Sequence, residues 1–317
     1  MGKIKVIKRV LAWSAGVLLV VLALAVVGGS YYMLDYSLSP DPNRSDTAHH
    51  YRKLFERYPE TRPWIDSLRR IHALCDTFVT MPSGRKIPER HHALYLWNGS
   101  NKTALVLHGW RNSSVDILFI ARIYDREIGG YNVVVPDFHA HGQSDGDMIQ
   151  MGWLDRKDMI HWLSVFKTDT MVVHGISMGG ATTMMMSASE LPKGIKDIRF
   201  IDDCGYTSVW DEFSGELRTQ FGLPDFPLMY TTSLLCKMLN GWSFSEASAL
   251  GEVSKSQYPM LFIHGSEDTF VPTEMAFRLF DAHPSERVLW IAEDAAHGQS
   301  YNLHKMEYVK RVKDFLR

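Results

Sequence analysis

Residues 171–186 read MVVHGISMGGATTMMM, and this stretch decides the fold. The apolar run Met171–His174 predicts a buried strand, and the small and apolar residues from Gly180 onward predict a helix. Between them lies Gly175-Ile176-Ser177-Met178-Gly179, a G-x-S-x-G motif whose glycines allow a tight turn from strand to helix. Such a turn holds its serine outward beside the positive end of a helix, so Ser177 is the candidate nucleophile. The alternative is an ordinary glycine-rich turn with a capping serine.

Similar apolar runs recur along the chain and alternate with segments of helical length. The further strands that this pattern predicts are Leu105–His108, Asn132–Val135, Ile198–Asp202, Met260–His264 and Val288–Ile291. The crossover helices that it predicts are Val115–Ile128, Trp153–Phe166 and Gly180–Glu190. This alternation indicates an α/β protein with a mainly parallel sheet and helices on both faces. Two shorter strands, Thr77–Thr80 and Ala93–Trp97, predict an antiparallel lead-in.

A serine hydroxyl becomes a useful nucleophile only when a base takes its proton. His297 lies just beyond the last predicted strand, and Asp268 lies just beyond the strand before it. Because the carboxyl ends of parallel strands meet at one edge of a sheet, both side chains should lie near Ser177. The sequence therefore predicts a Ser-His-Asp triad. Glu267 and the pair Asp202–Asp203 are the alternative acids.

The reaction of such a serine also needs N–H donors for a developing oxyanion. The backbone N–H of Met178, directly after the nucleophile, is one candidate. The other is the N–H of Trp110, in the turn that follows the strand ending at His108-Gly109.

Five motifs of this chain resemble those of the α/β-hydrolase family, in its group of esterases and related serine peptidases. They are HGW (108–110), DFHAHGQSDG (137–146), GISMGG (175–180), GSEDTFVP (265–272) and AAHG (295–298). The resemblance covers about residues 76–317. It implies an α/β-hydrolase fold in which Ser177, Asp268 and His297 match the catalytic triad, Trp110 and Met178 match the oxyanion donors, and no cofactor takes part.

The segment DFHAHGQSDGD, residues 137–147, also suggests a metal site, since histidine and aspartate are common ligands of zinc and iron. No further ligands stand at a recognisable spacing, so we predict no metal. In the resembled family this loop braces the oxyanion turn. The positions that fit its pattern are Asp137, Gly142, Ser144 and Gly146, whereas His139 replaces the usual arginine.

More residues separate the strands at Ile198–Asp202 and Met260–His264 than one crossover helix needs. This insertion, at about residues 205–256, is rich in aromatic residues. It predicts a helical lid or substrate pocket at the strand ends. The alternative is a helical elaboration whose aromatic side chains fill the core.

The N-terminus predicts a membrane anchor. Val10–Gly29 is twenty residues without a charge, which is long enough to span a bilayer. Four cations, at positions 3, 5, 8 and 9, precede it and none follows until Arg44, which predicts a cytoplasmic N-terminus and an exported remainder. A signal peptide cleaved near Ala23-Leu24-Ala25, giving a secreted protein, is the alternative. We therefore predict a stub and anchor (1–30), a juxtamembrane linker with helices (31–75) and a catalytic domain (76–317).

The composition sets the remaining limits. A formal net charge of −2 gives no basic excess for nucleic acid, and three scattered cysteines form neither a disulfide framework nor a zinc knuckle. We predict a membrane-anchored serine hydrolase that cleaves carboxylic esters of a small-molecule or peptide-like acyl substrate. A serine peptidase or acyltransferase on the same triad is the first alternative, and a non-catalytic binding protein is the second. The oligomeric state stays open.

Overall fold

The computed structural model describes residues 2–82 and 88–317, with side chains from residue 6 onward. The side chains of Lys3 and Lys5, part of the predicted basic stub, therefore lie outside the described residues. Eight strands form one sheet in the order β1-β2-β4-β3-β5-β6-β7-β8. The strands are β1 (Leu74–Thr80), β2 (Arg90–Leu96), β3 (Lys102–Leu107), β4 (Asn132–Pro136), β5 (Thr170–Ile176), β6 (Asp197–Asp203), β7 (Met260–Gly265) and β8 (Arg287–Ala292).

Six of these strands, β3 to β8, run parallel, and β2 pairs antiparallel with both β1 and β4. The predicted parallel sheet and the antiparallel lead-in are both confirmed. Each strand from β3 to β8 covers a predicted apolar run to within a few residues at either end. Since these six strands point the same way, the loops that follow them meet along one edge of the sheet.

Helices cover both faces of the sheet, as predicted. They are α1 (Gly2–Leu38), α2 (Thr47–Arg57), α3 (Thr61–Arg70), α4 (Leu118–Arg122, continued by a π-helical turn at Ile123–Ile128), α5 (Asp155–Val165), α6 (Met178–Met186), α7 (Val209–Phe221), α8 (Leu228–Asn240), α9 (Ala249–Val253), α10 (Glu274–Ala282), α11 (Ser300–Leu303) and α12 (Lys305–Phe315). The alternation of side chains along each strand divides the core into two layers. On β3, Leu105 and Leu107 face the layer that holds α5, α6 and α10, whereas Ala104 and Val106 face α3, α4 and α12.

The insertion between β6 and β7 is helical and contains α7, α8 and α9, which we call the lid. Its aromatic side chains divide between the core and the surface. Trp242 and Phe244 are fully buried in the core, whereas Phe226 and Tyr230 are exposed on its outer surface. The lid thus both extends the core and presents apolar side chains outward.

The N-terminal helix α1 is longer than the predicted span and continues to Leu38. By length and composition alone, the described residues contain one helix able to cross a membrane, and it is this one. The side chains of residues 6–25 are exposed all round. From Val26 onward one face of the helix packs on the rest of the molecule, and Ser30, Leu34 and Leu38 are buried. Residues 31–38, expected as the start of a linker, therefore belong to this helix.

Candidate active site

The turn between β5 and α6 presents Ser177 in a strained conformation. Its φ is 58° and its ψ is −119°, in the left-handed region that residues with a side chain rarely adopt. The two glycines of the motif make this turn possible. A Cβ on Gly175 would lie 2.0 Å from the carbonyl oxygen of Gly179, and one on Gly179 would lie 2.2 Å from that of Leu107. The strand and helix can approach this closely only without side chains there.

The structure brings Ser177, His297 and Asp268 into one hydrogen-bonded chain. His297 Nε2 lies 2.9 Å from Ser177 Oγ, and His297 Nδ1 lies 2.8 Å from Asp268 Oδ2. The three residues follow β5, β8 and β7, so they meet because those parallel strands end at the same edge. In this geometry His297 can accept the serine proton while Asp268 fixes its tautomer.

Asp268 is buried and held in place by several donors. Its Oδ1 accepts hydrogen bonds from the backbone N–H groups of Phe270 (3.1 Å) and Val271 (2.9 Å). Burial alone would raise the pKa of this carboxyl, but hydrogen bonds from His264 and His297 outweigh it and lower the pKa to about 2. Asp268 is therefore an anion throughout the neutral range.

The alternative acids lie elsewhere. Glu267 is exposed. Asp203 Oδ2 accepts a hydrogen bond from the Tyr308 hydroxyl at 2.9 Å, and Asp202 Oδ1 accepts one from the Gly205 N–H at 3.0 Å. Burial raises the pKa of Asp203 to about 6 and that of Asp202 to about 7. In this arrangement Asp268 is the carboxylate that contacts His297.

The two predicted oxyanion donors lie beside the serine. Met178 begins α6 directly after Ser177, and the first N–H groups of a helix have no partner within it. Trp110 lines the same cavity as Ser177. The neighbouring Arg111 N–H donates to His141 Nε2 at 3.1 Å, which holds the turn that carries Trp110.

The loop DFHAHGQSDG is the brace of this turn. Asp137 Oδ1 accepts from the Ser114 N–H at 2.6 Å, and Asp137 Oδ2 lies 2.7 Å from His92 Nδ1. His139, the departure from the family pattern, is buried, with Nδ1 2.9 Å from the Met148 carbonyl oxygen. Its Nε2 lies 3.2 Å from Glu89 Oε2. His139 therefore contacts a backbone carbonyl and a carboxylate.

A possible metal site lies among other residues. Cys204, Asp268 and His297 place three potential ligand atoms within 4.8 Å of one another. Asp268 and His297 are already hydrogen-bonded to each other, and burial raises the pKa of the Cys204 thiol well above its usual value. His297 is hydrogen-bonded to Ser177 through its other ring nitrogen as well, so the hydrogen bonds of this group are those of a triad.

His264, in the last strand before the acid, lies against Asp268. Its Nε2 is 2.9 Å from the Val271 carbonyl oxygen and 3.3 Å from Asp268 Oδ2. Burial would lower the pKa of His264, but the Asp268 carboxylate raises it.

The end of α1 also forms part of the site, which nothing in the sequence indicated. Trp110 Nε1 donates to the Ser37 carbonyl oxygen at 3.0 Å, and the Arg111 guanidinium donates to the carbonyl oxygens of Tyr36 and Ser39. The predicted oxyanion turn is therefore fastened to the last turn of the N-terminal helix.

Two cavities meet at Ser177. The larger, of about 310 Å³, has a partly charged lining that includes Lys53, Arg57 and Asp116. The smaller, of about 80 Å³, lies under the lid and is mostly apolar. Glu212 lines it and is 4% exposed, and burial raises the pKa of its carboxyl well above the usual value. No pattern in the sequence marks this glutamate.

Solved structures with the same arrangement of strands and helices include the esterase Pf2001 of Pyrococcus furiosus. It superposes with a TM-score of 0.62 over 78% of this chain and 92% of its own, at 23% identity. The chain has the α/β-hydrolase fold. Within that fold, a nucleophilic serine occupies the turn after a central strand, which is where β5 places Ser177.

Among curated proteins, this chain is 30% identical to YqkD of Bacillus subtilis over 192 residues, 59% of its length. The match spans 62% of the length of YqkD. This chain is also 25% identical to YNL320W of Saccharomyces cerevisiae, which is described as an uncharacterized membrane protein. That match covers 75% of this chain and 80% of the relative. No protein-family model matches the chain.

Proposed function

We propose that this protein is a serine hydrolase that cleaves carboxylic esters through an acyl-enzyme. The observation that carries the proposal is the hydrogen-bonded chain from Ser177 Oγ through His297 to Asp268, at 2.9 and 2.8 Å, with the serine on a strained turn. The likeness to esterases supports the proposal through the fold alone.

In the proposed reaction, Ser177 Oγ attacks the acyl carbon and its proton passes to His297 Nε2. The backbone N–H groups of Trp110 and Met178 stabilise the oxyanion. The bond to the leaving alcohol breaks, and His297 gives that alcohol its proton. Water then attacks the acyl-enzyme with its proton going to His297, the bond from Ser177 Oγ to the acyl carbon breaks, and the serine recovers its proton.

Labelling with a fluorophosphonate probe tests the nucleophile. We expect the wild type to label and the variant Ser177→Ala to remain unlabelled. Equal labelling of both, or none of the wild type, contradicts the proposal. Hydrolysis of p-nitrophenyl esters compared with aminoacyl anilides then distinguishes an esterase from a peptidase, and transfer to an added alcohol reveals an acyltransferase.

We also propose that α1 anchors the protein with its N-terminus in the cytoplasm and the hydrolase exported. The cations before the apolar stretch and the membrane-protein description of the yeast relative support this. Protease added to intact cells should digest the hydrolase, and protection there contradicts the topology. A signal peptidase that cleaves after Ala25 would remove the exposed part of α1 and leave its packed part in the mature chain. The mass of the mature chain therefore distinguishes an anchor from a signal peptide. The division into 1–30, 31–75 and 76–317 stays a prediction.

A further inference from the structure

The exposed apolar part of α1 ends where the rest of the molecule begins. The side chains of residues 6–25 are exposed all round, and the uncharged run of the helix begins at Val10, after Lys8 and Arg9. At about 1.5 Å per residue, a hydrocarbon core about 30 Å thick that begins at Val10 ends near Gly29. Packing of α1 against the rest of the molecule starts at Val26, so the bilayer surface would lie close to the start of this packing.

The lid helix α8 packs beside α1 at this level. The hydroxyls of Ser30 and Thr231 are 2.6 Å apart, and a Cβ on Gly29 would lie 3.0 Å from Leu228 Cδ2. At the helical rise, Ser30 lies only about 8 Å beyond residue 25. This distance falls within the depth of the interfacial layer of a bilayer.

The outer face of α8 is apolar and exposed. Tyr230, Leu234 and Met238 follow one another at four-residue spacing, so they form one stripe of the helix, and they are 57, 60 and 74% exposed. Phe226 and Leu239 extend the stripe and are 74 and 56% exposed. The stripe, residues 226–239, thus belongs to the helix that contacts α1 at Gly29 and Ser30, next to the exposed apolar part of α1, which indicates the bilayer as what covers it.

Two neighbouring cavities lie between this region and Ser177. The apolar cavity of about 80 Å³ beside Ser177 is lined in part by Tyr36 and Phe213. The same two residues line a second cavity of about 30 Å³, which reaches Leu228 at the start of α8. The wall of the second cavity comes from α1 and the lid, and residues of both also line the first. Tyr36 donates a hydrogen bond to Gln220 Oε1 at 2.8 Å, and both residues line both cavities, so this bond lies at their boundary.

The two sides of Ser177 differ in polarity in the way that an amphiphile requires. The side lined by Lys53, Arg57 and Asp116 suits a polar headgroup. The side under the lid carries Glu212 and Glu216, but most of its surface is apolar, which suits an acyl chain. The ester bond of a lipid lies between two such parts.

We propose that the substrate is an acyl ester resident in the bilayer, whose chain enters between α1 and the lid while the stripe of α8 lies in the interfacial layer. This inference rests on the proposed function and narrows its substrate class. It also gives the N-terminal helix a role in binding, because Tyr36 forms part of the wall of the acyl path.

Photolabelling tests the position of the stripe. The full-length protein is reconstituted in phosphatidylcholine vesicles that contain a phosphatidylcholine with a diazirine in its acyl chain. After irradiation, we expect labelled peptides from residues 6–25 and from residues 226–239, and none from α12. Labelling of α1 without α8, or absence of labelling on α1, overturns the inference.

Matched variants test the substrate class. We compare Leu234→Gln/Met238→Gln with Leu303→Gln/Met306→Gln, which alters two exposed apolar residues distant in sequence from the stripe. The measured quantity is the rate on a dodecanoyl ester in the same vesicles, divided by the rate on soluble p-nitrophenyl butyrate. We expect this ratio to fall about tenfold in the first variant, since apolar contacts with hydrocarbon are lost, and to stay unchanged in the second.

Equal ratios in the two variants and the wild type contradict the inference. A wild type that hydrolyses butyrate but not the dodecanoyl ester also overturns it and leaves the esterase proposal standing. A wild type that hydrolyses neither ester and fails to react with the fluorophosphonate overturns both.

Discussion

Replacing Asp268 by asparagine should abolish most of the activity, because the change moves the imidazole proton of His297 to the wrong nitrogen. Asp268 Oδ1 accepts from the N–H groups of Phe270 and Val271, so the oxygen of an asparagine amide must take that position. Its NH2 group then replaces Oδ2, which lies 2.8 Å from His297 Nδ1. A donor at that place requires Nδ1 to accept, and the imidazole proton moves to Nε2.

With a proton on Nε2, His297 can no longer accept the proton of Ser177, whose Oγ is 2.9 Å away. The same asparagine NH2 would also oppose the Nε2–H of His264, which lies 3.3 Å from Oδ2. In serine proteases the equivalent change lowers kcat about 10⁴-fold. We expect a loss of that order here, equal to about 5 kcal/mol in transition-state stabilisation.

The assay is the hydrolysis of p-nitrophenyl butyrate by Asp268→Asn, with thermal unfolding to show that the variant is folded. Glu267→Gln is the matched control, because Glu267 adjoins Asp268 in sequence but its own carboxylate is exposed. This variant should retain full activity. Asp203→Asn tests the rival acid. Retention of more than a tenth of the activity in Asp268→Asn, or a larger loss in Asp203→Asn, would refute the reasoning.

Three further predictions concern the supports of the site. Gly175→Ala should destabilise the protein by about 3 kcal/mol or more, because the added Cβ would overlap a carbonyl oxygen. Gly215→Ala should stabilise it by about 0.5–1 kcal/mol, because Gly215 lies inside helix α7 with open space around its Cα. Urea unfolding measures both changes. Burial raises the pKa of the Asp202 carboxyl to about 7. Ionising this carboxyl in the folded protein is therefore unfavourable, so the free energy of unfolding falls as the pH rises from 4 to 7. Asp202→Asn should therefore gain stability relative to the wild type over that range, and a constant difference between pH 4 and 7 would contradict this. His141→Phe removes the acceptor for the Arg111 N–H and should lower kcat about tenfold with little change in KM; because burial lowers the pKa of His141 to about 3, the effect should not vary between pH 6 and 8.

The sequence was sufficient for the sheet and for the turn that carries Ser177, because both depend on short-range patterns. Continuous apolar runs indicate strands that are buried on both faces, and their alternation with helices indicates a parallel sheet. The G-x-S-x-G turn requires glycine at two places where backbones nearly touch, a local constraint that is visible in the letters. Because Ser177, Asp268 and His297 each follow a predicted parallel strand, the sequence also predicted that they lie close together.

Several features of the site could not be predicted, because contacts between distant parts of the chain create them. His264 and Glu212 acquire their roles from burial next to Asp268 and Ser177, and burial depends on the whole fold. His139 departs from the family pattern in sequence, yet Glu89 and the Met148 carbonyl oxygen supply its contacts in space.

The N-terminal helix shows most clearly which features follow from the sequence and which follow from the tertiary structure. The sequence by itself determined that an apolar helix precedes an α/β domain with a mainly parallel sheet, because twenty uncharged residues and the strand pattern are each local signals. Only the tertiary structure decided that this helix runs on to Leu38, packs against the lid and reaches the turn beside Ser177. The physical reason is that packing depends on which surfaces meet in space, and residues 30–38 meet partners more than seventy positions away.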